Sequence, residues 1–278
     1  MTTSLSTSIK PEFRMIDGLK IRFADSGGSH DATILLTSPW PESVYAFARM
    51  WTSLSEHARL FAVDLPGFGA SERRDDLLSP RAMGEFLAGL ASEAGLGVPH
   101  IVAPDVGTSA ALFGAAHHPE RFASVTVGTG GAAVPIDLGE PLRSWVLDPD
   151  LDKYRRINPH VIVNTAMDTI AGGIADDIRA DYLACYEGDR FAESMRYVRR
   201  YPEELPALAE LLPEIATPVT IVNGRHDRVV PVSNAEFLHE RLPHSRLRII
   251  DAGHFVWEEA PAEYASTILD SIGGKDAA

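Results

Sequence analysis

Cysteine is almost missing from this chain, which contains a single one, Cys185. A disulfide within the chain is therefore excluded, and this usage fits a reducing compartment, so we expect a cytoplasmic protein. Basic residues are also few, since 25 lysines and arginines face 39 acidic residues and the formal net charge is -14. Such a surface repels phosphate backbones, so nucleic acid is not an expected partner.

Long apolar runs are missing as well. No stretch approaches the roughly 20 residues of a membrane-spanning helix, and Met1 to Lys10 lacks the apolar segment of a secretory signal. We therefore expect no membrane association and a flexible N-terminal tail over residues 1–12. No residue cluster has metal-ligand spacing, and no phosphate-binding glycine loop occurs, so we expect neither a metal nor a cofactor.

Apolar residues make up 45% of the 278 residues, which is enough for one large α/β domain with an insertion. Short apolar runs typical of buried strands alternate with helical patterns, so the chain predicts a mostly parallel twisted sheet with helices on both faces. The strand pattern stops between residues 132 and 212. We interpret this block as a helical cap over the carboxyl edge of the sheet, where ligands bind in open α/β sheets. Residues 13–131 and 213–278 then form the core.

The most informative segment is Ala103–Gly107, which reads Ala-Pro-Asp-Val-Gly and lies between a strand pattern and a helical pattern. A small residue two before the centre and a glycine two after it have the spacing of the nucleophile elbow, whose common form is Gly-x-Ser-x-Gly. Here the centre is Asp105, and a carboxylate forms a different covalent intermediate from a hydroxyl. The alternative is that Asp105 is only a helix N-cap.

Two further residues follow the elbow in the order nucleophile, acid, histidine. Asp227 comes shortly after one predicted strand, and His254 comes shortly after the last one. Asp227 could instead be a turn residue, and His254 could be a structural histidine. Together with the Asp-Leu-Pro-Gly-Phe-Gly-Ala-Ser loop at 64–71, these motifs resemble the α/β-hydrolase superfamily over nearly the whole chain. The aspartate at the elbow narrows the resemblance to epoxide hydrolases and to haloalkane and haloacetate dehalogenases.

This resemblance implies a cofactor-free hydrolase. The carboxylate of Asp105 would attack an electrophilic sp³ carbon and form an alkyl-enzyme ester. His254, held by Asp227, would then activate the water that hydrolyses the ester. The backbone N–H groups of Val106 and Trp40 would bind the oxyanion.

The loop that carries Trp40 departs from the family pattern. Relatives usually have His-Gly-x-Pro there, whereas Ser38-Pro39 replaces the His-Gly in this chain. Pro39 has no N–H group, so the hydrogen bonding of the loop must differ. The resemblance suggests a cis Trp40–Pro41 bond and a Trp40 indole that forms a wall of the pocket.

The leaving group decides between the related reactions. An epoxide needs an acid for its ring oxygen, and the family uses cap tyrosines, so Tyr197 near the end of the cap and Tyr154 near its start are candidate proton donors, with ordinary packing as the alternative. A halide needs weakly hydrated N–H donors, and dehalogenase-like chains usually carry Trp or Arg directly after the nucleophile, where this chain has Val106.

The sequence therefore favours hydrolysis of an epoxide to a diol, with a small, apolar, electrophilic substrate. A dehalogenase with the same triad is the alternative. A third possibility comes from the altered loop, which is also compatible with a protein that binds a small molecule without turning it over. The sequence does not define the oligomeric state.

Overall fold

The computed structural model describes residues 9–273. Eight strands run through this part of the chain: β1 (Glu12–Ile16), β2 (Leu19–Asp25), β3 (Thr33–Thr37), β4 (Arg59–Val63), β5 (His100–Pro104), β6 (Ser124–Gly128), β7 (Val219–Gly224) and β8 (Ser245–Ile250). They form one sheet in the order β1-β2-β4-β3-β5-β6-β7-β8. β2 pairs antiparallel with both β1 and β4, and the strands from β4 to β8 are parallel.

Helices separate most of the parallel strands. Before the cap these are α1 (Trp51–Ser55), α2 (Pro80–Glu93) and α3 (Gly107–His117). Between β6 and β7 lie α4 (Leu142–Leu147), α5 (Asp152–Arg155), α6 (Pro159–Met167), α7 (Asp176–Cys185), α8 (Arg190–Val198) and α9 (Tyr201–Leu211). The chain continues with α10 (Ser233–Arg241), α11 (Val256–Glu259) and α12 (Pro261–Ile272). The sheet has helices on both sides, which confirms the predicted fold class.

The N-terminal hairpin has a tight turn at Asp17 and Gly18, with φ of 50° and 73°, the pair of positive values that such turns require. Residues 1–8 of the predicted flexible tail lie outside the described residues. The prediction is wrong for the end of that tail, because Ile9 is buried and Glu12 already begins β1.

The central strands are almost completely buried, which explains their continuous apolar runs. β3, β5 and β6 pair on both sides with parallel neighbours, so both faces must be covered by helices. α3 packs against β5, β6 and α2, while α12 packs against β6 and β8. The carboxyl ends of β5, β7 and β8 consequently lie along one edge of the sheet, where loops can bring distant residues together.

Polar contacts attach the α4–α9 block to the rest of the molecule. The guanidinium of Arg22 on β2 donates to both carboxylate oxygens of Asp181 on α7, at 2.7 and 3.1 Å. Ser43 donates to the same carboxylate at 2.6 Å, and Arg190 on α8 donates to the carbonyls of Gly69 and Ser71. We refer to this block as the cap. Across residues 9–273, no helix has the length and apolar character needed to cross a membrane.

Candidate active site

Asp105 lies at the sharp turn between β5 and α3. Its φ of 53° is in the left-handed region, a strained conformation that an aspartate tolerates better than most residues. The turn needs small neighbours, because a Cβ at Gly107 would lie 2.4 Å from the hydroxyl oxygen of Thr37 and 3.0 Å from the Cβ of Ala103. The Asp105 N–H is bonded to the carbonyl of Gly128 at 2.9 Å, so the backbone is held while the side chain projects from the turn.

The loops after β7 and β8 bring Asp227 and His254 to this carboxylate. The Nδ1 of His254 lies 2.8 Å from Oδ2 of Asp227, and its Nε2 lies 3.8 Å from Oδ1 of Asp105. The other oxygen of Asp227 accepts from the N–H groups of Val229 and Val230, both at 2.8 Å. Asp227 is therefore fixed by its own loop and can orient the imidazole toward Asp105.

The second oxygen of Asp105 is bound by backbone donors. The N–H of Trp40 donates to Oδ2 at 2.6 Å, and the N–H of Val106 also bonds to the carboxylate. The Trp40–Pro41 bond is cis, as the sequence resemblance suggests. Pro39 takes part in the hydrogen bonding of the loop through its carbonyl, which accepts from the N–H of Glu42 at 3.0 Å.

Burial and neighbouring charges determine the ionisation of Asp105 and His254. Burial raises the pKa of Asp105 to about 6, although His254 and the N–H groups of Trp40 and Val106 oppose this shift. For His254, burial lowers the pKa, but the carboxylates of Asp227 and Asp105 outweigh it and raise the pKa to about 9. At neutral pH, Asp105 is therefore ionised and faces a protonated His254.

A cavity of about 650 Å³ opens above these residues, between the sheet edge and the cap. Asp105, His254 and Trp40 line its floor. The cap contributes mainly apolar side chains from α4 and α6, namely Leu142, Trp145, Val161, Ile162, Thr165 and Ala166. The site is thus a largely apolar chamber with a carboxylate at its base, which suits a small apolar ligand.

The two tyrosines predicted as proton donors do not reach this chamber. Tyr197 is completely buried, and its hydroxyl donates to the carbonyl of Val106 at 2.7 Å. The Tyr154 hydroxyl donates to the Ser144 carbonyl and to Asp148, at 3.3 and 3.2 Å. Among the described residues no tyrosine lines the cavity. The prediction of tyrosine proton donors therefore needs correction: α5 and α8 turn these side chains toward backbone and cap partners.

Sequence reasoning missed Trp145, which extends the aromatic wall. Its ring lies 5.1 Å from that of Trp40 in an edge-to-face arrangement. Trp40 also stacks on Phe191 at 4.8 Å, and Phe191 lies 5.4 Å from Trp145, so the three rings form one cluster. The indole N–H of Trp40 is buried and has no hydrogen-bond partner among residues 9–273. Tryptophan within a cap pattern was the available signal, but the pattern does not define the direction of the side chain.

The polar rim of the cavity was missed as well. Glu140, Glu259, Arg228 and His226 line it. Arg228 and His226 flank Asp227 in the chain, and Glu259 accepts from the N–H of Gly253 at 2.9 Å. In the part of the chain that the structure describes, no three His, Cys, Asp or Glu side chains are placed to hold a metal ion.

Comparisons with known proteins show related hydrolases and the same fold. A 2-hydroxy-6-oxononadienedioate/2-hydroxy-6-oxononatrienedioate hydrolase of Burkholderia vietnamiensis is 26% identical over 271 residues, which cover 87% of each chain. A 2-hydroxymuconate semialdehyde hydrolase of Pseudomonas putida is 25% identical, with 80% of each chain covered.

A solved structure described as the epoxide hydrolase CorEH without ligand superposes with a TM-score of 0.81 at 18% identity, covering 97% of this chain and 100% of the other. The two sequence relatives support a hydrolase, whereas the structural likeness shows the fold. The family model for the alpha/beta hydrolase fold matches residues 32–261. The chain therefore belongs to the α/β-hydrolase fold family.

Proposed function

We propose that this protein is a hydrolase that forms an alkyl-enzyme ester on Asp105. One observation carries the proposal: Oδ2 of Asp105 is bound by the Trp40 N–H, while Oδ1 faces the imidazole of His254 at the base of the cavity. Oδ1 is then the attacking atom. Oδ2 becomes the carbonyl oxygen of the ester and already occupies the oxyanion site.

The proposed reaction has two steps, alkylation of Asp105 and hydrolysis of the resulting ester. Oδ1 bonds to an sp³ carbon of the substrate, and the bond from that carbon to its leaving group breaks with its electron pair. Alkylation removes the negative charge of Asp105, one of three carboxylates that raise the pKa of His254, so that pKa falls and the imidazole releases its proton to solvent. Neutral His254 next takes a proton from water, and hydroxide adds to the ester carbon. The tetrahedral intermediate collapses, releasing the product alcohol and restoring the carboxylate.

An aspartate nucleophile favours an sp³ carbon over a carbonyl carbon. Attack on an ester or amide by a carboxylate gives a mixed anhydride, which is more reactive than the starting compound, so that step is uphill. Attack on an alkyl halide or an epoxide gives an ordinary ester. For this reason we do not transfer the activities in the names of the two sequence relatives to this chain.

The cavity favours a neutral substrate. Among the described residues, the acidic side chains that line it are Asp105, Glu140 and Glu259, and they face two cations, Arg228 and the protonated His254. The whole chain carries a formal net charge of -14. An anionic substrate, such as a haloacid or a dicarboxylate, would therefore enter against the local field.

For the leaving group, the cavity wall favours a halide. The buried indole N–H of Trp40 has no acceptor among the described residues, and Trp145 lies beside it. An unpaired buried donor costs about 1–3 kcal/mol, and a weakly hydrated halide would satisfy it. The substrate of first choice is accordingly a small, neutral alkyl halide. An epoxide is the second candidate, because Val106, directly after the nucleophile, offers a halide no second side-chain donor.

Trapping the ester tests the proposal. We expect the His254→Gln variant to accumulate an alkyl adduct on Asp105 when it is incubated with a panel of haloalkanes, epoxides and haloacids. Intact-protein mass spectrometry distinguishes the candidates, because an epoxide adds its full mass, whereas a haloalkane adds its mass less that of the hydrogen halide lost and releases one halide ion.

Asp105→Asn in the same background is the matched control and should stay unmodified. Absence of an adduct with every member of the panel would contradict the proposal. Tight ligand binding under those conditions would instead favour a binding protein without turnover.

A further inference from the structure

A second pair of carboxyl groups lies buried behind the loop that binds Asp105. Glu42 and Glu258 are 0% and 2% exposed. Oε2 of Glu42 accepts from the indole N–H of Trp257 at 2.8 Å, and its Oε1 has no hydrogen-bond partner among residues 9–273. The hydroxyl of Tyr182 lies 3.4 Å from Oε1 of Glu258, and Nε of Arg49 lies 3.0 Å from Oε2 of Glu258.

The charges around this pair do not balance if both acids are ionised. Within residues 9–273, Arg49 is the cation that contacts the pair, and it bonds to Glu258. Glu42 faces the neutral donors Trp257 and Tyr182, and the nearby carboxylates of Glu258 and Asp105 repel its charge. A buried carboxylate without a cation is unfavourable, so one proton has to stay on the pair, and Glu42 is the member without a cationic partner.

The pKa shifts of Glu42 and Glu258 agree with one proton bound by the pair. Burial, followed by the charge of Glu258, raises the pKa of Glu42 well above its ordinary value. Burial also raises the pKa of Glu258 to about 7, against the opposing effect of Arg49. Both shifts favour the neutral form, and Glu42, which has no cationic partner, is the member that keeps the proton.

The backbone of Glu42 belongs to the same turn as the oxyanion donor. Its N–H bonds to the carbonyl of Pro39, and its own carbonyl accepts from the hydroxyl of Tyr186 at 3.4 Å. Trp40, two residues earlier, donates to Asp105 at 2.6 Å. A charge on Glu42 would therefore act on the loop at the point where negative charge must be stabilised during the reaction.

We propose that Glu42 is a positioning residue that works only as the neutral acid: bonded to Trp257, it holds the Trp40 N–H against Asp105, and its ionisation weakens that hold. This inference rests on the proposed role of Asp105. It predicts that alkylation slows in alkaline solution, by about tenfold for each pH unit above the midpoint of one ionisation.

The first experiment needs no substrate. Infrared spectra at pH 8 should show the carbonyl stretch of one protonated carboxylic acid in the wild type and in the control Glu236→Gln, which changes an exposed acid on α10. The Glu42→Gln variant should lack this band. A band of unchanged intensity in Glu42→Gln would overturn the inference.

The second experiment compares single-turnover alkylation from pH 7 to pH 10. We expect the wild type and Glu236→Gln to lose rate in alkaline solution, and Glu42→Gln, which mimics the neutral acid, to lose clearly less. The ionisation of His254, whose pKa is about 9, affects all three proteins alike. The same alkaline decline in Glu42→Gln and the wild type would overturn the inference. Failure of the proposed function has a different result, since the wild type would then react with no member of the panel and the infrared band alone would decide the role of Glu42.

Discussion

Asp105 must be ionised to attack carbon, and its buried position makes the fraction of ionised Asp105 depend on pH in the neutral to acidic range. Burial raises the pKa of this carboxyl to about 6, so the reactive form is lost as the pH falls through that value. We expect kcat/KM for the preferred substrate to decline below about pH 6, by about tenfold for each pH unit. A pH profile of kcat/KM measures this limb, and a decline that begins only near pH 4 would contradict a buried nucleophile.

Tyr197 links the cap to the elbow through its bond to the Val106 carbonyl. Removal of its hydroxyl should therefore disturb the position of the elbow without removing a proton donor. We expect Tyr197→Phe to retain alkylation within roughly tenfold of the wild type, whereas loss of a general acid costs about 10²–10⁴-fold. Single-turnover rates with a haloalkane and an epoxide measure this difference. A loss of more than a hundredfold confined to the epoxide would restore the proton-donor role.

The indole of Trp40 offers a test of leaving-group binding. Trp40→Phe keeps an aromatic ring to stack on Phe191 but removes the N–H, so we expect alkylation by a haloalkane to slow by roughly 10- to 100-fold. Trp51→Phe, which removes an indole from α1, serves as the control. If Trp40→Phe reacts with haloalkanes as fast as the control does, the indole N–H does not bind the halide.

Sequence reasoning predicted that Asp105, Asp227 and His254 lie close together, because the backbone alone determines that geometry. Asp105, Asp227 and His254 follow directly after strands whose carboxyl ends share one edge, so the order of strands is sufficient to bring them together. Tyr197 and Tyr154 lie in helices, and the direction of a helical side chain depends on the rotation of its helix against its neighbours. Composition and spacing do not determine that rotation.

At the scale of elements, the contact between α2 and α3 positions the nucleophile, because α3 begins two residues after Asp105. The helices approach closely at Gly84, where a Cβ would lie 2.8 Å from the Ala110 carbonyl and 2.8 Å from the Gly114 nitrogen. Gly89 lies on the same helix but is exposed, with nothing within 4 Å of an added Cβ.

These two glycines provide a matched pair. We expect Gly84→Ala to lower the free energy of unfolding by about 1–3 kcal/mol, because two backbones must separate. Gly89→Ala should raise it by up to about 1 kcal/mol, since alanine is the better helix former. Urea denaturation of both variants measures the difference, and similar stabilities would contradict the close approach of α2 and α3.

The parallel strands were predictable because each carries a short apolar run, and some helices were predictable because they begin with a clear cap. α2, for example, begins after Ser79, whose hydroxyl accepts from the Ala82 N–H at 3.2 Å, and Pro80 occupies its first turn. The cap was predictable only as a helical block. Its ties to the core, such as Arg22 with Asp181, join residues 159 positions apart, and no local pattern encodes such a pairing.

For the whole molecule, several buried groups bind protons more tightly in the folded state than in the unfolded chain. Burial raises the pKa of Asp64 and of Asp105 to about 6, and that of Glu258 to about 7. The stability from these protons is fully present below the ordinary carboxyl pKa and is lost as the pH rises through the folded values. The pKa of His254, raised to about 9 by Asp227 and Asp105 against the effect of burial, adds stability that is complete below pH 6.5 and is lost as the pH approaches 9.

The buried carboxyls and His254 both lose stabilising protons as the pH rises, so the free energy of unfolding should fall continuously from about pH 5 to pH 9. On the acid side, the pKa values of Asp25 and Glu85 are lowered, so their stabilising effect is lost as the pH falls and maximum stability lies near pH 5. Urea denaturation at each pH measures this curve. Replacement of Glu42 by glutamine should flatten its alkaline part relative to Glu236→Gln, because one buried proton no longer has to be released. A stability that is constant or increases between pH 5 and pH 8 would show that the buried carboxyls ionise without cost, and would contradict the protonated pair behind the oxyanion loop.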